Sequence, residues 1–151
     1  MITYHIEPLA RNLPEIKTLI EGHWLEIANN RDKIKLDPDW DQYQKLCDLD
    51  MVTLFTVRDS GRMVGYSVFM VHPLLHYKAD RVASNDIVYL LPKYRQGFCG
   101  VRLLKMCHEH FKALGIEKIH WHLKPGHDWS KILERWGYKF EEKIMGYYAG
   151  K

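Results

Sequence analysis

The sequence predicts one mixed α/β domain over residues 1–151, in which strand-forming and helix-forming stretches alternate along the chain. Three observations carry that prediction. Apolar–polar alternation begins the chain, and two β-rich runs flank a turn at 59–62. Apolar residues three and four apart mark amphipathic helices near 13–27, 40–47 and 101–111. Between 82 and 123 an apolar run, a basic glycine-containing turn, an amphipathic helix and a second β-rich run follow one another, the pattern of a parallel, right-handed β-α-β unit.

Ile2, Tyr4 and Ile6 alternate with polar residues and predict a first strand. Asn12 is placed to cap a helix whose first turn holds Pro14 and whose stripe is Leu13, Ile16, Leu19, Ile20, Trp24 and Ile27. A polar stretch at 29–32 breaks it. Asp37 then caps a shorter helix with Pro38 at its first position and Trp40, Tyr43, Leu46 and Cys47 on its apolar face. Residues 51–57 and 63–71 are two strands of a hairpin around Asp59, Ser60, Gly61 and Arg62. Residues 74–80 read as a connection. Residues 82–91 form a long central strand, because apolar side chains dominate it. A helix over 100–114 stops at Gly115, and a strand follows over 116–123. Asp128 caps a last helix that ends at Gly137, and 138–148 predicts a last strand. The order is β-α-α-β-β-β-α-β-α-β, with no repeat, linker or low-complexity segment to mark a boundary.

The chain is long enough for a substantial core, and its 46% hydrophobic and 27% charged content are those of an ordinary globular protein. A formal net charge of +3, with Lys and Arg spread along the chain, makes nucleic acid an unlikely partner. The three cysteines lack CxxC spacing and read as reduced thiols, which predicts a cytoplasmic protein. The first residues do not form a signal peptide, and no apolar run approaches the ~18 residues of a membrane span, so no membrane partner is expected.

The most informative segment is 88–104. An apolar strand ends at Pro92, a turn holds Arg95, Gln96, Gly97, Phe98, Cys99 and Gly100, and helical spacing then begins with Val101 and Leu104. A helix start presents unpaired N–H groups and the positive end of the helix dipole, which together suit a phosphate. Gly97 and Gly100 allow close approach of the backbone, and Arg95 and Arg102 add positive charge.

This segment resembles the acetyl-coenzyme A loop of the GNAT acetyltransferases, which reads Arg/Gln-x-x-Gly-x-Gly/Ala after a strand. Pro92, Tyr94, Arg95 and Gly100 match, Leu103 and Leu104 fall where the family's helix leucines fall, and Phe98 replaces the middle glycine. Downstream, Leu133, Arg135, Gly137 and Tyr138 resemble the family's Gly-Phe end of the last helix. Together the two matches cover about residues 81–148, with one strand between them. The resemblance implies a stand-alone GNAT domain: a mostly antiparallel sheet with a central parallel pair that splays apart. It also implies an acetyl-CoA-dependent N-acetyltransferase acting on an amine-bearing small molecule or protein by direct attack, as a monomer or homodimer. Leu90 and Leu91 would bind the pantetheine arm through their backbone, and Arg95, Gln96, Gly97, Phe98, Cys99, Gly100, Val101 and Arg102 would hold the phosphates.

Acetyl transfer needs a group to receive the amine proton and one to protonate the leaving thiolate. The tyrosine that often serves as acid in the family falls at Leu133, which cannot. His127, Tyr147, Tyr148 and solvent are the alternatives. His127 could equally only support the Asp128 cap, and Tyr147 and Tyr148 lie on opposite strand faces, so at most one points at the site. Asp86 sits near where the family often carries an acidic residue and is the candidate base; the alternative is a solvated or ion-paired carboxylate. His120 and His122 share a strand face, but no carboxylate or cysteine at metal spacing completes a site, so no metal is expected. Trp24, Asn29, Asn30, Arg31 and Trp40 would border the acceptor pocket or pack on the sheet. The loss of the tyrosine at 133 and the glycine at 98 also fits a non-catalytic coenzyme A-binding protein of the same fold.

Overall fold

The computed structural model describes residues 1–150. Its elements are β1 (Ile2–Glu7), α1 (Leu9–Ile27), α2 (Trp40–Asp48), β2 (Val52–Asp59), β3 (Arg62–Leu74), β4 (Tyr77–Leu90), a 3-10 turn at Pro92–Tyr94, α3 (Cys99–Ala113), β5 (Lys118–His120) and α4 (Ser130–Glu134). The five strands form one sheet in the order β1-β2-β3-β4-β5. The first three pairings are antiparallel and β4–β5 is parallel.

Alternation along the strands splits the core in two. Phe55, Phe69, Leu90, Leu103, Cys107 and Phe111 bury one face of the sheet under α3. Leu9, Ile16, Leu19, Leu54, Tyr66 and Tyr89 bury the other under α1, and Trp40, Tyr43 and Cys47 of α2 pack beside them. Three register shifts interrupt the ladders, one of them at Pro73/Leu74 near the β3–β4 tip. Another leaves Val64 opposite the Val57–Arg58 link, and the third leaves Asp86 unpaired between Asn85↔Phe69 and Ile87↔Val68.

Several boundaries differ from the sequence reading. α1 starts at Leu9, so Asn12 is not its cap; it is buried, with Nδ2 donating to the Pro8 carbonyl at 2.7 Å and Oδ1 accepting from Arg58 at 2.6 Å. That guanidinium also meets Glu7 at 2.9 Å and Glu15 at 2.8 Å, which tie β1, α1 and β2 together. Asp39, not Asp37, caps α2, accepting from the Gln42 N–H at 2.8 Å. Residues 74–80 are the tip of a β3–β4 hairpin, not a loose connection. The hairpin at 59–62 forms as its sequence requires, with Ser60 and Gly61 both at positive φ.

The C-terminal part departs most. α4 spans only Ser130–Glu134, and β5 keeps three residues of the eight expected over 116–123. Residues 138–148 enter no ladder. They pass beside β5, where Glu141 pairs with Lys118 at 2.9 Å and with His120 at 3.3 Å. Phe140, Ile144, Met145 and Tyr147 of this stretch are exposed, so no buried face fixes a strand register. The parallel pair expected at the centre of the sheet therefore forms its edge.

Candidate functional site

The β4–β5 ladder has three rungs, the last joining Ser84 and His120. Beyond it the Asn85 side chain, not its backbone, accepts from the His122 N–H, and no rung follows. The strands part there, and the β4 edge from residue 86 to 90 has no strand beside it. Leu91 has both backbone groups engaged, its N–H with Val64 O at 2.9 Å and its carbonyl with the Tyr94 N–H at 2.9 Å. The Leu90 carbonyl accepts from Arg95 Nε at 2.7 Å. Alternation along β4 leaves the N–H of Leu90 and both backbone groups of Val88 facing the opening.

The edge leads into the 92–100 turn. Gly97 takes φ +78°, a conformation that disfavours a side chain, and turns the chain into α3. Phe98 is the N-cap residue and offers no side-chain cap, and no acidic residue occupies the first turn of α3. The N–H groups of Cys99, Gly100 and Val101 consequently have no protein acceptor among the described residues, and the first intrahelical bond runs from Arg102 N–H to Phe98 O at 2.9 Å. A Cβ on Gly100 would meet nothing closer than Leu90 Cδ2 at 3.8 Å, so the space over the turn is open. Gln96, Phe98 and Arg102 are exposed. This donor set, free of carboxylates, fits a pyrophosphate.

Arg95 lies in the turn yet points back. It pairs with Glu26 at 2.7 Å and lies over the Tyr89 ring, on which the His23 imidazole stacks at 4.6 Å. Glu26 and the Leu90 carbonyl thus hold the guanidinium that the sequence reading assigned to a phosphate. His23 is 5% exposed. Its Nδ1 meets the Tyr66 hydroxyl at 3.2 Å, its Nε2 has no partner, and burial pushes its pKa down to about 4. On the other side of the turn, the Tyr4 hydroxyl donates to Cys99 O at 3.4 Å, and burial raises its pKa to about 12.

Asp86, the candidate base, sits in the β4 bulge just past the last β4–β5 rung, and its side chain is exposed toward α2. Its partner is not a cation. The Tyr43 hydroxyl donates to Oδ2, and Asp86 enters no ion pair among the described residues. Tyr43 has its pKa raised, by burial first and then by the Asp86 carboxylate.

The candidate acids lie elsewhere. His127 is exposed on a turn closed by its N–H to Lys124 O at 3.0 Å. Tyr148 is half-buried with Lys33 Nζ over its ring at 5.2 Å, whereas Tyr147 is 93% exposed, so the two do face differently. Leu133 is 4% exposed. His120 and His122 have ring centroids 6.5 Å apart, and no group of three metal-binding side chains occurs among the described residues. Trp121 between them packs against Phe69 and Trp129. Asn29, Asn30 and Ile34 of the α1–α2 connection face residues 146–150 across an open groove. Trp40 packs on the sheet with Lys17 over its ring. Tyr43, Glu26 and His23 were not predicted as site residues. Tyr43 shared a stripe with Trp40 and Cys47 that reads as core, and its partner lies 43 residues away.

Neither a family model nor a curated protein sequence matches the chain. Solved structures do. A ribosomal-protein-alanine N-acetyltransferase from Brucella melitensis biovar Abortus 2308 superposes with a TM-score of 0.76 at 15% identity, covering 100% of this chain and 99% of that one. A predicted acetyltransferase from Clostridium acetobutylicum, solved with acetyl-CoA, gives 0.75 at 12% identity, covering 98% and 96%. An aminoglycoside acetyltransferase from an uncultured soil metagenomic sample gives 0.73 at 15%, covering 99% and 96%. Likeness over nearly the full length of both chains establishes the GNAT acetyltransferase fold. No helix among the described residues is long and apolar enough to cross a membrane.

Proposed function

We propose that the protein is an acetyl-CoA-dependent N-acetyltransferase that moves an acetyl group to an amine by direct attack. The observation that carries this is the continuity of the open β4 edge with the unopposed N–H groups at the start of α3. Acetyl-CoA, when bound, supplies the acyl group as a thioester. The N–H groups of Cys99, Gly100 and Val101 hold the pyrophosphate, with Arg102 nearby. The backbone of Val88 and the N–H of Leu90 take the pantetheine amides. Asp86 receives the amine proton, directly or through water. Leu133 has no proton to give, so His127, Tyr148 or solvent protonates the departing thiolate. Similar structures include enzymes named for aminoglycoside and ribosomal-protein-alanine acceptors, and an amine-bearing small molecule or protein is the acceptor class here. The three free cysteines suit a cytoplasmic setting.

Acetyl-CoA should raise the melting temperature by mass action. Gly100→Gln, at a position with room for a side chain, should fold and remove most of that shift. Thiol release from acetyl-CoA should then appear with at least one of an aminoglycoside, an amino sugar, a polyamine and a peptide amino terminus. An undiminished thermal shift in folded Gly100→Gln rules out the loop assignment. Binding without thiol release across the panel favours the non-catalytic reading.

A further inference from the structure

Asp86 is held in an unusual way for an exposed carboxylate. The bulge removes it from the regular pleat, and the end of the β4–β5 ladder removes the neighbouring strand, so β4 alone leaves its side chain free to rotate. No Arg or Lys pairs with it among the described residues. Its one hydrogen bond comes from another layer. Tyr43 projects from α2, its ring 5.8 Å from that of Trp40 and packed on the Tyr66–Tyr89 face of the core. The hydroxyl engages Oδ2 and leaves Oδ1 without a protein donor.

We propose that Tyr43 is the positioning residue for Asp86: its hydroxyl fixes the carboxylate so that the second oxygen stays turned to the acceptor amine. This rests on the N-acetyltransferase reading. Tyr43 suits the task because burial and the adjacent carboxylate both keep its phenol protonated, so it remains a donor wherever Asp86 is ionised. Tyr66 of β3 is the other titratable group within reach of the Asp86 charge, and it too stays neutral, through burial first. A carboxylate held by a neutral donor keeps its full charge for an incoming ammonium, whereas one paired to Arg or Lys would not. The Tyr43–Asp86 bond also gives α2 a link to the reacting end of β4.

The test compares wild type, Tyr43→Phe, Asp86→Asn and the double variant, with melting temperature and acetyl-CoA affinity as controls. With the fastest amine of the panel, Tyr43→Phe should lower kcat about tenfold, a fraction of the ~10²–10⁴-fold that general-base assistance supplies, and leave the acetyl-CoA KM nearly unchanged. 3-Fluorotyrosine at position 43, a stronger donor of similar shape, should change kcat in the wild-type background and not in Asp86→Asn, which keeps the test usable if the phenylalanine variant folds poorly. The double variant should lose no more than Asp86→Asn alone. A folded Tyr43→Phe with wild-type kcat overturns this proposal and leaves the N-acetyltransferase reading standing. Wild-type protein that binds acetyl-CoA and releases no thiol overturns both.

Discussion

Replacing His23 by Gln should flatten the pH dependence of stability between about pH 7 and 5. In the folded chain the imidazole is 5% exposed, stacks on Tyr89 and has an Nε2 without a partner, so a second N–H would have no acceptor. Burial lowers its pKa from 6.5 to about 4. A base depressed on folding binds more protons unfolded than folded, so its contribution is intact above about pH 6.5 and is lost as the pH falls toward 4. At about 1.4 kcal/mol per unit the loss is about 3 kcal/mol at pH 4 and already about 2 kcal/mol at pH 5. For a domain of this size that is a fall of about 4–8 °C in Tm. Differential scanning calorimetry of wild type and His23→Gln across this range measures it. The slope is the readout, because Gln can still bond Tyr66 yet changes baseline stability. His110, which burial also lowers, is common to both proteins and cancels. A variant whose Tm falls with acidification as steeply as wild type refutes the reasoning.

Two further outcomes follow from the packing. Gly65→Ala places a Cβ 2.6 Å from Leu90 Cδ1 and 2.9 Å from Tyr89 O, so the backbone of β4 must shift. It should cost about 1–3 kcal/mol in chemical denaturation and weaken acetyl-CoA binding by calorimetry, since Leu90 ends the open edge. Below about pH 4.5 a second loss should set in. Glu7 and Glu15 have carboxyls held below their usual value by bonds from Thr56, Arg58 and the Met63 N–H that outweigh burial, so they stabilise above their unfolded values and cease to as they protonate. Glu15→Gln should shrink that acid limb in pH-dependent melts and leave the His23 window unchanged.

The sequence discloses the turn at 92–100 and the helix after it because both rest on local chemistry: glycine where φ is positive, and apolar spacing where α3 packs. The hairpin at 59–62 is legible for the same reason. The last strand was not. Residues 138–148 have β-prone side chains, but pairing depends on an edge that β5 supplies for only three residues. Asn12 misled because a side chain that suits a cap also suits a buried bridge between Pro8 O and Arg58. Arg95 fits the cofactor motif, yet its partners Glu26 and Tyr89 lie on other elements and cannot be anticipated from spacing. Asp86 is the candidate base through the family resemblance, and neither its bulge nor Tyr43 has a local signature.

The turn before α3 is pinned at both ends, by Arg95 to Leu90 O and Glu26 and by Tyr4 to Cys99 O. Its conformational entropy is thus surrendered when the chain folds, not when a nucleotide arrives. Association at this turn should require little loop closure and show the modest entropic cost of a ready-made receptor. Because Arg95 and Glu26 neutralise one another, attraction there comes mainly from backbone dipoles and Arg102. Such attraction acts at short range, so raising ionic strength should slow capture less than it would for a turn with two free guanidinium groups.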